Sequence, residues 1–241
     1  MPASDTPHGK SRLPPRSRAG LPLKIVVAVV SPLLFLLVLE GVLRLVGFGY
    51  NPDPFQVKDD GSVSPNWSFT YRFFPQSMAR PMIPLSFSAN KPENTIRIFV
   101  LGGSAAQGIP HPEYGLSEHL KLQLEALFPD RDIEVINTAI TATNSHVVRE
   151  IARAALQYEP DALVAYLGNN EVVGPFGPGT SFSDFTRTPA MIRLRAWLPI
   201  LRCYQLVHRL AGAGRSPTGT WLGMDMMLQN TVAHDDPRLE T

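Results

Sequence analysis

Residues 96–108 constrain the fold of this chain more than any other stretch. Ile96, Arg97, Ile98, Phe99, Val100 and Leu101 form an apolar, β-branched run that stops at Gly102-Gly103-Ser104-Ala105-Ala106-Gln107-Gly108. Such a run predicts a strand, and the glycines predict a tight turn at its end. The turn presents a single hydroxyl, that of Ser104, where a helix begins, and the small residues around it leave the backbone open to close approach. That arrangement suits a serine nucleophile.

The pattern then repeats. Residues 113–128 carry Leu116, Leu120, Leu124 and Leu127 on one face of an amphipathic helix, and Pro129-Asp130 ends it. Ile133, Glu134, Val135 and Ile136 predict a second strand, running into the small and hydroxyl-rich turn Asn137-Thr138-Ala139-Ile140-Thr141-Ala142-Thr143. Asn144 or Ser145 is placed to cap a second helix with Val147, Ile151, Ala155 and Tyr158 on one face. Residues 162–167 predict a third strand, followed by Gly168-Asn169-Asn170-Glu171. Alternating strands and helices, with strands that are continuous apolar runs, predict an α/β fold with a parallel sheet covered on both faces. Ligands of such sheets bind at the carboxyl ends of the strands. The three turns there carry Ser104, Ala142 and Asn170.

A glycine turn after a strand also invites a phosphate reading. The P-loop needs Gly-Lys-Ser/Thr at its end and no lysine follows here; the dinucleotide fingerprint Gly-x-Gly-x-x-Gly does not fit either. No cofactor or metal is expected. The bland alternative leaves Ser104 as a simple helix cap.

Residues 23–48 are the strong hydropathy feature. The stretch from 25 to 39 is free of charge, and Glu40 and Arg44 then stand at i,i+4, where they can pair on one helix face. A span needs about 20 apolar residues, reached here if Glu40 and Arg44 lie near the interface. Lys10, Arg12, Arg16, Arg18 and Lys24 precede the segment, while Asp53, Asp59 and Asp60 outnumber Lys58 after it. The positive-inside rule then predicts a single-pass signal anchor in the inner or plasma membrane, with residues 1–22 a basic cytoplasmic tail and the remainder extracytoplasmic (periplasmic). A cleaved signal peptide is the alternative; no Ala-x-Ala site follows the apolar run.

Residues 49–94 form a stem rich in proline and aromatics, too apolar for a disordered linker, and predict extended segments packed against the domain of residues 95–241. Asn66-Trp67-Ser68 matches the glycosylation triplet, a pattern common by chance. A formal net charge of +1 gives no reason to expect nucleic acid as a partner. The one cysteine, Cys203, can form no intramolecular disulfide and is expected as a buried small hydrophobe.

The three turns together resemble the SGNH (GDSL-like) hydrolases, over residues 95–178. Phe99-Val100-Leu101-Gly102-Gly103-Ser104 with Gly108 resembles their first block, Asn137-Thr138-Ala139-Ile140-Thr141-Ala142 the second and Gly168-Asn169-Asn170-Glu171 the third. The stretch 137–177 is also similar to a membrane-anchored bacterial subgroup. The resemblance implies a three-layer α/β/α, flavodoxin-like sheet and ester hydrolysis or acyl transfer. It implies Ser104 as the nucleophile, and the Ser104 N–H, the Ala142 N–H and the Asn170 amide as oxyanion donors. Alanine stands at 142 where the family usually has glycine; it keeps the N–H, adds a methyl and disfavours positive φ.

The family's Asp-x-x-His pair, which supplies the base, has its one match at Asp5-Thr6-Pro7-His8, ahead of the anchor. His111, His119, His146, His208 and His234 read as structural or surface histidines. Residues 189–211 show a helical pattern with Arg193, Arg195, Arg202 and Arg209 among apolar residues, a surface helix or a membrane-surface contact. No fourth or fifth strand is legible before the Gly/Met-rich end, so the sheet is expected to lack its C-terminal part. Two expectations follow. One is an anchored serine esterase or O-acyltransferase, idle in this chain, whose substrate is an ester or an acylated glycan or lipid. The other is a non-catalytic, membrane-tethered binding protein that kept the pocket.

Overall fold

The computed structural model describes residues 21–180, 188–212, 223, 225 and 232–239. The chain forms two compact units, one ending at Gly47 and one beginning at Phe48.

The first unit is α1, Leu21–Leu45. Its side chains from Ile25 to Val38 are about half exposed or more, all round the helix. At 1.5 Å per residue a helix of 25 residues is about 37 Å long, more than the roughly 30 Å of a bilayer's hydrocarbon core. It is long and apolar enough to cross a membrane. The expected pair forms: Arg44 donates to Glu40 through Nε at 2.8 Å. The basic tail before α1 lies outside the described residues.

The second unit opens with a small antiparallel sheet of β1 (Phe55–Val57), β2 (Ser62–Pro65) and β3 (Phe87–Ser88). Asn66, of the apparent glycosylation triplet, is buried. Its amide donates to the Asn51 carbonyl at 2.8 Å and the Asp53 carbonyl at 2.6 Å, which leaves it no access to a glycan. The proline- and aromatic-rich stem is thus built into the fold.

The central sheet follows: β4 (Thr95–Gly102), β5 (Asp132–Asn137) and β6 (Ala162–Tyr166), all parallel, in the order β5-β4-β6. Between β4 and β5 come α2 (Ser104–Gln107), a short 3-10 turn at Pro112–Tyr114 and α3 (Leu116–Leu127); between β5 and β6 comes α4 (Ser145–Ala155). Gly115 thus starts the leucine-striped helix three residues later than its pattern suggested, because Pro112 commits the preceding turn to 3-10 geometry.

Alternation along β4 divides the core. Phe99 and Leu101 join Ile136, the α4 residues Val147, Ile151 and Ala155, and the stem residues Phe55, Val63 and Phe87. Val100 faces the other way, packing with Ala106, Ala139, Leu120, Val135 and Val164. Edge-to-face rings seal the first side: Phe87 meets Phe99 at 5.5 Å and Tyr158 at 5.1 Å. Among the described residues β6 is a sheet edge, and Leu163 and Tyr166 on it are 40% and 49% exposed. The expectation of complete cover on both faces therefore fails at β6.

The helical stretch 189–211 is two helices, α5 (Pro189–Trp197) and α6 (Arg202–Gly212), split by a 3-10 turn at Leu198–Ile200. Pro199 is the physical reason, since it lacks the N–H a continuous helix would use there. Cys203 is only partly buried.

Candidate functional site

In the order β5-β4-β6 the chain leaves β4 toward one side and returns on the other. That reversal opens a crevice at the carboxyl ends of β4 and β6. A small recess lies there, lined by Gly103, Ala105, Thr143, Tyr166, Leu167, Gly168, Asn169 and Asn170.

The register explains why the turns converge. Gly102 pairs with Tyr166, so β4 and β6 end level. Beyond β5 the chain keeps to β4: the Thr138 N–H donates to the Val100 carbonyl at 2.9 Å and the Ile140 N–H to the Gly102 carbonyl at 3.0 Å. The Thr143 hydroxyl is in reach of the Ile140 carbonyl at 2.7 Å and the Gly102 carbonyl at 3.1 Å, which pins the second turn over the end of β4. Its position in a hydroxyl-rich turn was visible in the sequence; that it would hold two turns together was not.

Ser104 is the first residue of α2, half-buried, with Gly103 ahead of it in extended geometry. The first N–H groups of a helix have no partner within it, so the Ser104 N–H is free of its own helix. Its hydroxyl meets no hydrogen-bond partner among the described residues. Ala142 is buried and adopts φ 65°, the left-handed region that favours glycine. Its methyl joins the α4 core, and its N–H donates to no described residue. The strain expected of alanine at a glycine position is thus present, and the backbone keeps the glycine-like path.

Asn170 is 5% exposed. Its Nδ2 donates to the Thr143 carbonyl at 2.9 Å and lies 2.8 Å from where a β-carbon on Gly103 would stand. One amide hydrogen is committed to Thr143, and an NH2 group has two. The recess thus gathers Gly103, Thr143 and Asn170 directly, with Ser104 and Ala142 as the chain neighbours of its walls. The second hydrogen of the Asn170 amide is the side-chain donor that this lining offers to an oxygen.

No histidine or carboxylate lines this recess among the described residues. His111 pairs with Glu113 at 3.1 Å, both exposed. His146 sits in the first turn of α4 and lines a different cleft, with Arg149, Pro189, Ile192, Arg193 and Ala196. Burial holds its pKa below the usual value, Glu171 opposes that shift, and Arg149 adds to it. His119 and His208 lie on α3 and α6, and His234 lies in the C-terminal segment. Among the described residues no group of three or more His, Cys, Asp or Glu is placed to hold a metal.

The cap of α4 differs from expectation. Asn144 occupies the cap position, but its side chain donates to the Pro175 carbonyl at 2.9 Å. Glu171 caps instead, accepting from the Ser145 N–H at 3.0 Å and the Ser145 hydroxyl at 2.7 Å. A carboxylate there also complements the positive end of the helix.

Fold and site together define a mixed α/β protein whose parallel three-stranded sheet brings its strand-end turns to one recess, with one apolar helix near the N-terminus. The chain matches no protein-family model, no curated protein and no solved structure.

Proposed function

We propose that this chain carries an SGNH-type ester site, that of a membrane-anchored serine esterase or O-acyltransferase facing the extracytoplasmic side, with Ser104 idle in the chain as it stands. Ester-bearing glycans or lipids of the envelope are the substrate class. The observation that carries this reading is the convergence on one recess of the Gly103-Ser104 turn, the left-handed Ala142-Thr143 turn and the Asn170 amide.

The chemistry follows from those groups. The Ser104 hydroxyl would attack an acyl carbonyl, and its N–H, the Ala142 N–H and the second Asn170 hydrogen would receive the oxyanion. One such donor is worth about 2.7–4 kcal/mol in kcat. Attack also needs an acceptor for the hydroxyl proton. Among the described residues no histidine or carboxylate lines the recess to take that proton, and on this ground Ser104 is read as idle.

Phenylboronic acid tests the site separately from turnover. It takes a serine hydroxyl into a tetrahedral anion and releases the proton to solvent. The full chain in detergent is expected to form an adduct visible by boron NMR. Ser104→Ala should abolish it, and Asn170→Ala should weaken it about 100-fold, the effect of one lost donor. Equal behaviour of the native chain and Ser104→Ala overturns the ester-site reading. Hydrolysis of p-nitrophenyl acetate is expected to be the same in the native chain and in Ser104→Ala. Ser104-dependent turnover would show an active enzyme with a base that the recess does not reveal. The second reading, a tethered binding protein, draws on the apolar and amide lining of the recess and gains if the boronate binds without need of Ser104.

A further inference from the structure

The segment that follows α1 is gripped by α6. The Tyr50 N–H donates to Gln205 Oε1 at 2.9 Å, and Gln205 Nε2 returns a bond to the Tyr50 carbonyl at 3.1 Å. Arg202 donates to the same carbonyl, and the Arg209 guanidinium lies 5.8 Å above the Phe48 ring. Gln205 is buried, and burial, the largest cause, pushes the Tyr50 phenol up to about 12. These groups form a built joint. Tyr50 follows the last residue of α1 by five positions, a reach of at most about 17 Å of extended chain.

The outer sides of α5 and α6 are unlike a water-facing surface. Met191, Leu194 and Trp197 recur every three residues on α5 and are 48%, 46% and 49% exposed. Val207 and Leu210 on α6 are 64% and 65% exposed, with Arg209 between them. The inner side of α5 is used differently. Ile192 and Ala196 enter the core, and the Arg195 guanidinium lies 6.0 Å over Phe176. Arg193, on the flank of the outer stripe, is exposed. Exposed large apolar side chains, one tryptophan and flanking arginines make the composition of a helix lying in a membrane interface.

We infer that α5 and α6 form a membrane-surface element. Met191, Leu194, Trp197, Val207 and Leu210 enter the boundary between headgroups and acyl chains, and Arg193 and Arg209 meet the phosphates of anionic lipids. The occupant is a bilayer because the joint at Tyr50 ties α6 within a short chain length of an apolar helix that spans. The inference rests on the reading that α1 crosses the membrane. It gives the second unit an attachment to lipid of its own.

The test uses the full chain in vesicles of equal parts phosphatidylcholine and phosphatidylglycerol, with and without brominated acyl chains. Trp67→Phe and Trp221→Phe leave Trp197 as the one emitter, and a parallel chain carries these changes with Trp197→Phe and Leu34→Trp to report on α1. Quenching of both reporters by bromine, with Trp197 released when Val207→Asp and Leu210→Asp are added, is the expected result. Quenching at position 34 with Trp197 unquenched leaves the span standing and overturns the surface element. Trp197 shielded from acrylamide yet unquenched by bromine assigns the face to a protein partner and overturns it as well. No quenching at either position overturns the span, and the inference with it.

Discussion

The Asn170 side-chain amide donates to the main-chain oxygen of Thr143 at 2.9 Å, joining the turn after β6 to the turn after β5 across the end of β4. Thr143 is 1% exposed and Asn170 5%, so little water can replace the bond. Asn170→Ala leaves a buried carbonyl unpaired and is expected to cost about 1–3 kcal/mol. Asn170→Asp sets a carboxylate against that carbonyl and should cost more at neutral pH than at a pH where the acid is protonated and can donate. Urea unfolding of the detergent-solubilised chain, followed by circular dichroism, measures both.

Ala142 holds φ 65° while fully buried. The left-handed region costs an L-residue about 1–2 kcal/mol. Glycine removes that strain and gives back about 0.4–1 kcal/mol through the freer unfolded chain. The buried methyl is lost as well, at about 0.8 kcal/mol, so Ala142→Gly is expected to be near neutral, within about 1 kcal/mol of the native chain. Ala142→Val adds β-branching and volume at the same point and should cost at least about 2 kcal/mol. Thermal denaturation of the pair measures both.

A β-carbon on Gly102 would stand 2.3 Å from the Tyr166 carbonyl oxygen, a backbone atom of the paired strand. Relief requires β4 and β6 to part, so Gly102→Ala should destabilise by about 3 kcal/mol and speed amide exchange along β6. At Gly103 the obstacle is the Asn170 side chain at 2.8 Å. Gly103→Ala then acts by displacing that amide, and combining it with Asn170→Ala should cost less than the two single changes summed. A double-mutant cycle by urea unfolding decides this.

Local patterning encodes some of these features, and contacts distant in sequence decide the others. The run from Ile96 to Leu101 and the apolar run at 162–167 carry their strand signals locally, so the parallel sheet was legible. The face of α4 was legible too, because helical spacing writes it into one short window; on α3 only Leu120 of the leucine stripe packs against the core, and Leu116 and Leu127 are 40% and 70% exposed. The clasp between Asn170 and Thr143 spans 27 positions, and the capping of Ser145 by Glu171 spans 26, so no local pattern encodes either. Asn144 shows the same limit from the other side: its type suits a cap, but the carbonyl of Pro175, 31 positions away, claims the side chain. The stem's place in the core also depended on partners distant in sequence, with Phe55 and Phe87 closing on Phe99.

Arg72 is the principal tie between the stem and the helices. Its side chain is 4% exposed; it donates to Glu150 at 3.2 Å, to the Ala196 carbonyl at 2.8 and 3.1 Å, and to the Pro52 carbonyl at 3.3 Å. Removing one partner of a buried pair typically costs about 3–5 kcal/mol. Two carbonyls remain to Arg72, so Glu150→Ala is expected at about 3 kcal/mol, the low end. Glu150 also pairs with the more exposed Arg149 at 2.8 Å and Arg153 at 3.6 Å, so added salt should lower that cost in part while the Arg72 share persists. Urea midpoints at low and high salt check both statements.

His146 gives the fold a dependence on acid. Burial first, then Arg149, hold its pKa below the usual 6.5, against the pull of Glu171. The unfolded chain therefore binds the proton more readily than the folded one, and stability rises with pH wherever that holds. The contribution is fully present above pH 6.5 and is lost as the pH falls through the folded-state value. Thermal scans below pH 6.5 should show Tm falling in the native chain, and falling less in His146→Gln, which has no proton to gain. Glu171→Gln removes the opposing charge and lowers the folded-state pKa further, so the loss still begins near pH 6.5 but grows larger and runs on to more acid pH. It also weakens the cap at Ser145, so its Tm is expected to be lower at every pH. The displacement of the His146 titration, read from its ring proton shifts, separates the two effects.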